Sequence, residues 1–380
     1  MANPDPTRQT VPGPRADAAP HRVMVGLSGG VDSSVAALLL TRAGHRVAGL
    51  FMKNWEDDDV DGHCTAAADL ADAEAVCARL DIVLHRANFS DQYRERVFDR
   101  FLAEHRAGRT PNPDVLCNRE IKFRAFLDHA LRLGAECIAT GHYARLRVRD
   151  GRCELLRAAD PDKDQTYFLH LLDQDQLART WFPLGGLRKH EVRRLAREAG
   201  LATHAKKDST GICFIGEHDH RAFLRRYLPA EPGEIRTPDG AVVGTHEGLA
   251  FYTLGQRRGL GVGGRRGAQA TPWYVVDKDF GRNVLVVVQG HDHPRLRHRA
   301  LRAEELHWIA GEAPPSPLRC SARIRYRQAD QACVVEIDGD AALVRFDQAQ
   351  RAVTPGQSVV FYSGEVCLGG GRIAAVPGDA

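Results

Sequence analysis

VMVGLSGGVDSSVAALLL, residues 23–40, decides the fold. Val23 to Leu27 is a short apolar run with the length of a buried strand, and an Ala/Leu-rich helical stretch runs from Ser33 to a stop near Gly44. Only Ser28-Gly29-Gly30-Val31-Asp32 lies between them. A strand that feeds a helix through so short a glycine loop belongs to a parallel sheet, whose ligand crevice opens at the carboxyl ends of its strands. Two glycines let backbone N–H groups close on an anion, and the helix N-terminus adds its dipole. The hydroxyls of Ser28, Ser33 and Ser34 supply further donors. The same glycines also suit an ordinary strand-to-helix turn, and the loop alone leaves both readings open.

The text on either side keeps alternating. Strands are expected at 47–52, 82–84 and 137–140, and helices at 65–80, 90–107 (capped by Ser90) and 118–133 (capped by Asn118). Strand and helix in turn predict an α/β unit with a parallel sheet covered on both faces. A hairpin over 145–158 closes at Asp150-Gly151, a type I′ pair. Helical stretches follow at 166–177, 189–199 and 220–227; beyond them the chain reads as β, with Val-rich runs such as 284–288 and glycine punctuation. The expected division is a disordered tail over 1–20, an α/β domain over 21–217, a small central β-rich domain over 218–292 and a C-terminal antiparallel β-barrel over 293–380.

Composition narrows the function classes. A chain of 380 residues with 43% hydrophobic and 27% charged residues suits two or three packed domains. The net charge is +3, from 52 Lys plus Arg against 49 Asp plus Glu, so a polyanionic partner must be argued from where the charge sits. No run approaches the ~20 apolar residues of a membrane span. The Pro-rich first twenty residues lack the apolar core of a signal peptide, and the expected location is the cytoplasm. Nine cysteines without a CxxC pair argue against a disulfide framework and a zinc ribbon, and no metal-ligand cluster is legible.

Three motifs carry chemistry. SGGVDS lacks the lysine of a Walker A loop; it has the SGGxDS arrangement of enzymes that split ATP between its α and β phosphates. In TPNPDVLCN (110–118) two prolines stiffen the approach to Asp114, and Cys117 stands just before a helix expected to open at Asn118, a place that favours thiolate. KKDSTGICFIG (206–216) surrounds Cys213 with lysines, hydroxyls and glycines, a setting for a persulfide. Each cysteine taken alone also reads as a buried structural thiol.

Together these stretches resemble the bacterial tRNA-specific 2-thiouridylases. The matching text is GLSGGVDSSV (26–35), FMKNW (51–55), TPNPDVLCNREIKF (110–123), ATGHYAR (139–145), KDQTYFL (163–169), KKDSTGICFIG (206–216), LGQRRGLG (254–261) and PGQSVVFY (355–362), which spans the chain from about 22 to 373. The resemblance implies an adenine-nucleotide α-hydrolase-like domain, a small central domain and a C-terminal β-barrel. It implies that Gly26, Leu27, Ser28, Gly29, Gly30, Val31, Asp32 and Ser33 cradle ATP, with Met52 and Gly141 against the nucleotide. Asn112, Pro113 and Asp114 would meet the target base. Cys117 matches the nucleophile and Cys213 the persulfide carrier. Lys163, Asp164, Gln165, His142, Arg325, Tyr326 and Gln357 match tRNA contacts. Mg²⁺ is expected with ATP, and tRNA and a persulfide sulfur donor protein are the expected partners.

The chemistry agrees with these residue types. A uridine C2 oxygen leaves poorly until it is adenylated, and a loop that holds pyrophosphate favours that step. Arg323, Arg325 and Arg327 alternate in SARIRYRQ (321–328), so a strand there would turn all three to one face. Two rivals share parts of the pattern: an ATP-dependent amide-forming ligase with the same loop, which needs no thiol, and a redox-sensing RNA-binding protein, which consumes no ATP.

Overall fold

The computed structural model describes residues 20–55, 65–207, 220–262 and 271–376. The tail over 1–19 and Cys213, both singled out by sequence, lie outside them. Seventeen strands are described. The first seven are β1 (Arg22–Leu27), β2 (Arg46–Lys53), β3 (Leu84–Asn88), β4 (Cys137–Ala139), β5 (Arg145–Arg149), β6 (Arg152–Leu156) and β7 (Thr180–Trp181). Five of them form a parallel sheet in the order β3-β2-β1-β4-β7. β1 is central and every residue after Arg22 is buried. Val23, Val25 and Leu27 face one apolar cluster with α1 (Val31–Arg42), while Met24 faces a second cluster with Phe126, as the two-residue period of a strand requires. The strand order reverses between β1 and β4, and that switch point is where such sheets hold ligands.

The central unit is a four-stranded sheet, ordered β10 (Trp273–Asp279), β11 (Val284–Gln289), β8 (Gly233–Arg236) and β9 (Val242–His246). The remaining strands are β12 (Arg297–Trp308), β13 (Leu318–Arg323), β14 (Gln331–Asp338), β15 (Ala341–Arg351), β16 (Ser358–Ser363) and β17 (Val366–Ala375). They run in the order β12-β15-β14-β13-β16-β17, all antiparallel, and β12 pairs back onto β17 to close a six-stranded barrel. Among the described residues no helix is long and apolar enough to cross a membrane.

The hairpin of β5 and β6 does something the sequence did not indicate. It turns at Asp150-Gly151, both at positive φ (51° and 77°), and then extends the barrel by pairing Leu155 with Cys367 and Leu156 with Val366. The first and last parts of the chain are thus stitched by a shared sheet. Asp164 locks this joint. It is only 3% exposed; it accepts bonds from Ala158 N (3.2 Å), Thr166 Oγ1 (3.0 Å) and Arg323 (3.2 Å), and lies 3.5 Å from the Arg157 guanidinium. Asp330 takes the outer side of both arginines, at 2.8 and 2.7 Å. Asp164 therefore ties the barrel to the α/β unit, and its carboxylate is bonded within the protein. Asp164→Ala leaves the inner sides of two half-buried guanidiniums without their carboxylate and should cost about 3–5 kcal/mol in urea unfolding. Asp330→Ala, at the solvent end, should cost no more than about 1 kcal/mol.

Three local expectations shift. The helix expected from 118 begins at Pro113, with Asn112 as its N-cap accepting from Asp114 N at 3.2 Å. Asn118 is buried inside that helix and donates to the Phe168 carbonyl, so it caps nothing. The stretch 166–177 splits into Thr166–Leu169 and Gln174–Ala178, because Asp173 forms a capping box with Gln176 and starts a second helix. Ser90 is not a cap either; Asn88 Oδ1 accepts from its N–H (2.9 Å) and hydroxyl (2.6 Å).

Candidate functional site

The loop after β1 is built for close backbone approach. Gly29 has φ +70° and a Cβ there would lie 2.3 Å from the Asp69 carbonyl in α2 (Thr65–Leu80), so glycine is required by the fold itself. Gly30 has φ −95°, and among the described residues a Cβ would meet nothing nearer than Ser28 Oγ at 3.4 Å. Its glycine is not explained by the packing of the described residues, which leaves room for an occupant. Gly141 follows β4 and faces the loop across the switch point; its Cβ would fall 2.7 Å from Ser33 N. A Cβ on Gly26 would come 3.3 Å from Met52 Cε and 3.1 Å from the Phe126 ring. The expected nucleotide residues are therefore gathered at the carboxyl ends of β1, β2 and β4. The Ser33 and Ser34 hydroxyls donate to the Gly30 carbonyl (3.1 and 2.8 Å), and Ser28 N donates to Ser33 Oγ (3.2 Å). These serines shape the loop, and Ser28 alone of the three is exposed.

Two lysines hold the carboxylates around the loop: Lys189, which sequence reading missed, and Lys206, which it placed only near Cys213. Lys189, at the start of the helix Lys189–Glu198, bonds both oxygens of Asp32 (2.7 and 2.8 Å), and the Tyr143 hydroxyl donates to the same group at 2.8 Å. Lys206 bonds Asp69 at 2.7 Å and also Asp72. Burial would lower its pKa, but these two carboxylates outweigh that and raise it. Lys189 and Asp32 are 157 positions apart, so no local spacing could have found the pair. Thr203 reaches Ser34 Oγ at 3.0 Å. The chain that leads to Cys213 thus leaves the described residues at Lys207, directly beside the phosphate loop.

Cys117 sits on the helix that runs from Pro113 to Arg132, whose middle, Cys117–Ala125, has the wider i→i+5 turns that often mark functional sites. It occupies the second turn, not the N-terminus, and is 0% exposed. The expected helix-end activation of its thiol is therefore weaker than the sequence implied, because the dipole effect fades within one turn. Asp114 and Asn112 are half-buried one turn earlier. Two distant parts of the chain grip the approach to them at Thr110: Pro355 O accepts from its N–H (2.9 Å) and Gln357 Nε2 donates to its carbonyl (2.7 Å), while Thr253 Oγ1 meets its hydroxyl (3.2 Å).

The expected RNA contacts scatter. β13 ends at Arg323, and Arg327 adopts φ 62°, so the three arginines do not share a strand face. Arg323 is spent on Asp164 and Asp330; Arg325 donates to the Ala352 carbonyl at 2.7 Å; Arg327 is exposed beside the Tyr326 ring. Tyr326 packs on Phe168, 4.5 Å between ring centres, and Phe168 is the residue whose carbonyl holds Asn118. The barrel turn thereby reaches the neighbourhood of Cys117. His142 bonds Thr140 at 2.8 Å, and burial, helped by the Lys122 charge, pushes its pKa well below the usual value. As a neutral imidazole it can bond a base or sugar but cannot neutralise a phosphate. Gln165 accepts from Tyr143 N at 2.9 Å, and Lys163 is half-buried. Among the described residues no group of three or more His, Cys, Asp or Glu could hold a metal ion.

Comparison with known proteins matches the chain in three successive segments. A family model described as a tRNA methyl transferase HUP domain matches residues 21–217, one described as a tRNA methyl transferase PRC-barrel domain matches 221–289, and one described as an aminomethyltransferase beta-barrel domain matches 298–373. The chain is 63% identical over 357 residues to the tRNA-specific 2-thiouridylase MnmA of Methylococcus capsulatus, covering 93% of this chain and 96% of the relative. It is 63% identical over 354 residues to that of Alkalilimnicola ehrlichii, covering 93% and 97%. Against the Pseudomonas aeruginosa protein of the same name the identity is 59% over 365 residues, 96% of each. With the three models in order along the chain and relatives of this identity matching nearly end to end, the chain belongs to the tRNA-specific 2-thiouridylase family.

Proposed function

We propose that this chain catalyses the ATP-dependent 2-thiolation of the wobble uridine of tRNA, yielding 2-thiouridine, AMP and pyrophosphate. The observation that carries this reading is 59–63% identity over nearly the whole chain to relatives named for that activity. In it, residues 21–217 bind ATP, 218–292 form the central domain and 293–380 the barrel. The triphosphate lies on the backbone of Ser28 to Ser33, with Met52 and Gly141 against the rest of the nucleotide. Lys189 neutralises Asp32, which keeps a bare carboxylate from facing the phosphates. Mg²⁺ would arrive with ATP through its phosphates. Both oxygens of Asp32 are already bonded, so the described residues offer it no cage.

The target base must leave the RNA stack to reach this crevice, where Asn112, Pro113 and Asp114 receive it. Its C2 oxygen attacks the α-phosphorus, and the bond to the bridging oxygen breaks to release pyrophosphate. The terminal sulfur of a persulfide on Cys213 then attacks C2, and AMP departs with the former carbonyl oxygen. Cys117 attacks the Cys213 sulfur of the resulting base–S–S link; that bond breaks, the thiocarbonyl stays on the base, and a Cys117–Cys213 disulfide remains. Asp114 accepts a proton on the way. Lys163, Gln165, His142, Arg325, Tyr326 and Gln357 belong to the tRNA-facing region, a persulfide-carrying protein reloads Cys213, and the cytoplasm is the site of action.

Nucleoside mass spectrometry of tRNA from a deletion strain tests the reading. The 2-thiouridine peak should vanish, return with the wild-type gene, and stay absent with Cys117→Ser. Persistence of the peak in the deletion strain would refute the assignment.

A further inference from the structure

The nine cysteines include a pair that the proposed thiolation does not use. Cys320 on β13 and Cys333 on β14 are direct register partners, so their side chains leave the same face of the barrel wall. Both are free thiols, and their sulfurs lie 3.7 Å apart. Directly opposed residues in an antiparallel pair have Cα atoms ~4.5–5.5 Å apart, inside the ~4.4–6.8 Å window that a disulfide needs. Closing the sulfurs to a bond of ~2.05 Å asks for side-chain rotation and no strand slip.

We propose that Cys320 and Cys333 are a second redox-active dithiol, separate from the nucleotide crevice, which a hydroperoxide closes to a cross-strand disulfide. The two thiols are unequal. Cys333 is 0% exposed in the barrel core, whereas Cys320 is half-buried and open to a small oxidant. Burial raises the pKa of Cys77, Cys137, Cys153 and Cys367. Cys320 moves the other way: the hydrogen bond from Cys333 outweighs its burial, and Arg319 adds a positive charge. Cys320, the more exposed of the two and the one beside the Arg319 charge, is the attacking thiolate. Its sulfur takes one peroxide oxygen, the O–O bond breaks, and hydroxide leaves to become water, giving a sulfenic acid. The Cys333 sulfur then attacks the Cys320 sulfur, the S–O bond breaks, and the second oxygen leaves as water with the Cys333 proton. Two thiols lose two electrons and one peroxide becomes two waters.

Trypsin separates the partners, since Arg319, Arg323, Arg327 and Arg345 place Cys320 in peptide 320–323 and Cys333 in peptide 328–345. Purified full-length protein is treated with equimolar hydrogen peroxide, blocked with N-ethylmaleimide and mapped by mass spectrometry. The linked 320–323/328–345 peptide should appear as a major product in the wild type. It should appear equally in a Cys117→Ser/Cys213→Ser double variant, which removes the proposed catalytic bridge. Cys320→Ser should lose it and leave Cys333 alkylated only after denaturation. Recovery of Cys320 and Cys333 as separate alkylated peptides, or of Cys320 overoxidised to the sulfinic acid with Cys333 still a thiol, would overturn the proposal.

Discussion

Gly30→Val should fold as the wild type does and lose ATP-dependent pyrophosphate release. The backbone at Gly30, with φ −95° and ψ 164°, is open to any residue, and among the described residues a Cβ meets only Ser28 Oγ at 3.4 Å. Replacing glycine at this helix N-cap therefore costs at most about 1 kcal/mol of stability. The empty side of Gly30 is where the phosphates are proposed to approach the N–H groups, and a valine occupies it. Loss of even one such donor costs ~10²–10³-fold in turnover, and a blocked cradle should lose at least that. tRNA binding should survive, because its proposed contacts lie elsewhere. Gly29→Ala makes the contrast: φ +70° and the 2.3 Å approach to Asp69 make it a folding defect, visible as a lowered thermal midpoint. Normal AMP production by a well-folded Gly30→Val protein would sink the loop assignment.

What the sequence disclosed was local, and what it hid was long-range. SGGVDS could be read because strand, glycine turn and helix are contiguous, and the structure puts α1 within three residues of where it was expected. The hairpin at Asp150-Gly151 was legible from its turn, but its pairing with β17 joins residues more than two hundred apart and leaves no mark in either segment. Lys189 on Asp32 is hidden for the same reason. The arginines of SARIRYRQ misled because alternation implies one face only while a strand lasts, and β13 stops at Arg323. Asp164 stands inside a matched block, and its bond to Arg323, 159 positions away, left no mark in that block. The cap at Asn118 was misjudged because proline at the first helical position, preceded by Asn112, is itself the stronger start signal.

The Cys117–Cys213 bridge is the expected residue of one turnover, and the burial of Cys117 sharpens how it should form. A thiol with 0% exposure cannot attack a persulfide on another loop until the surrounding residues part. The two cysteines are 96 positions apart (213 − 117), and the chain toward Cys213 starts beside the phosphate loop at Lys206, tethered to Asp69 and Asp72. Bridging demands Cα atoms within ~4.4–6.8 Å, so the two segments must converge over the crevice. Iodoacetamide should therefore label Cys117 slowly in the resting protein and at least ~10-fold faster once ATP and tRNA are bound, if closure over substrate is what uncovers it. After a single turnover without reductant, peptide mapping should show Cys117 linked to Cys213, and a thiol reductant should restore activity. Cys213→Ser should still release pyrophosphate with tRNA present while transferring no sulfur. A route in which Cys117 first frees hydrosulfide from the persulfide ends in the same bridge. Stoichiometric 2-thiouridine with both cysteines still reduced would exclude both routes and leave Cys117 as a core thiol.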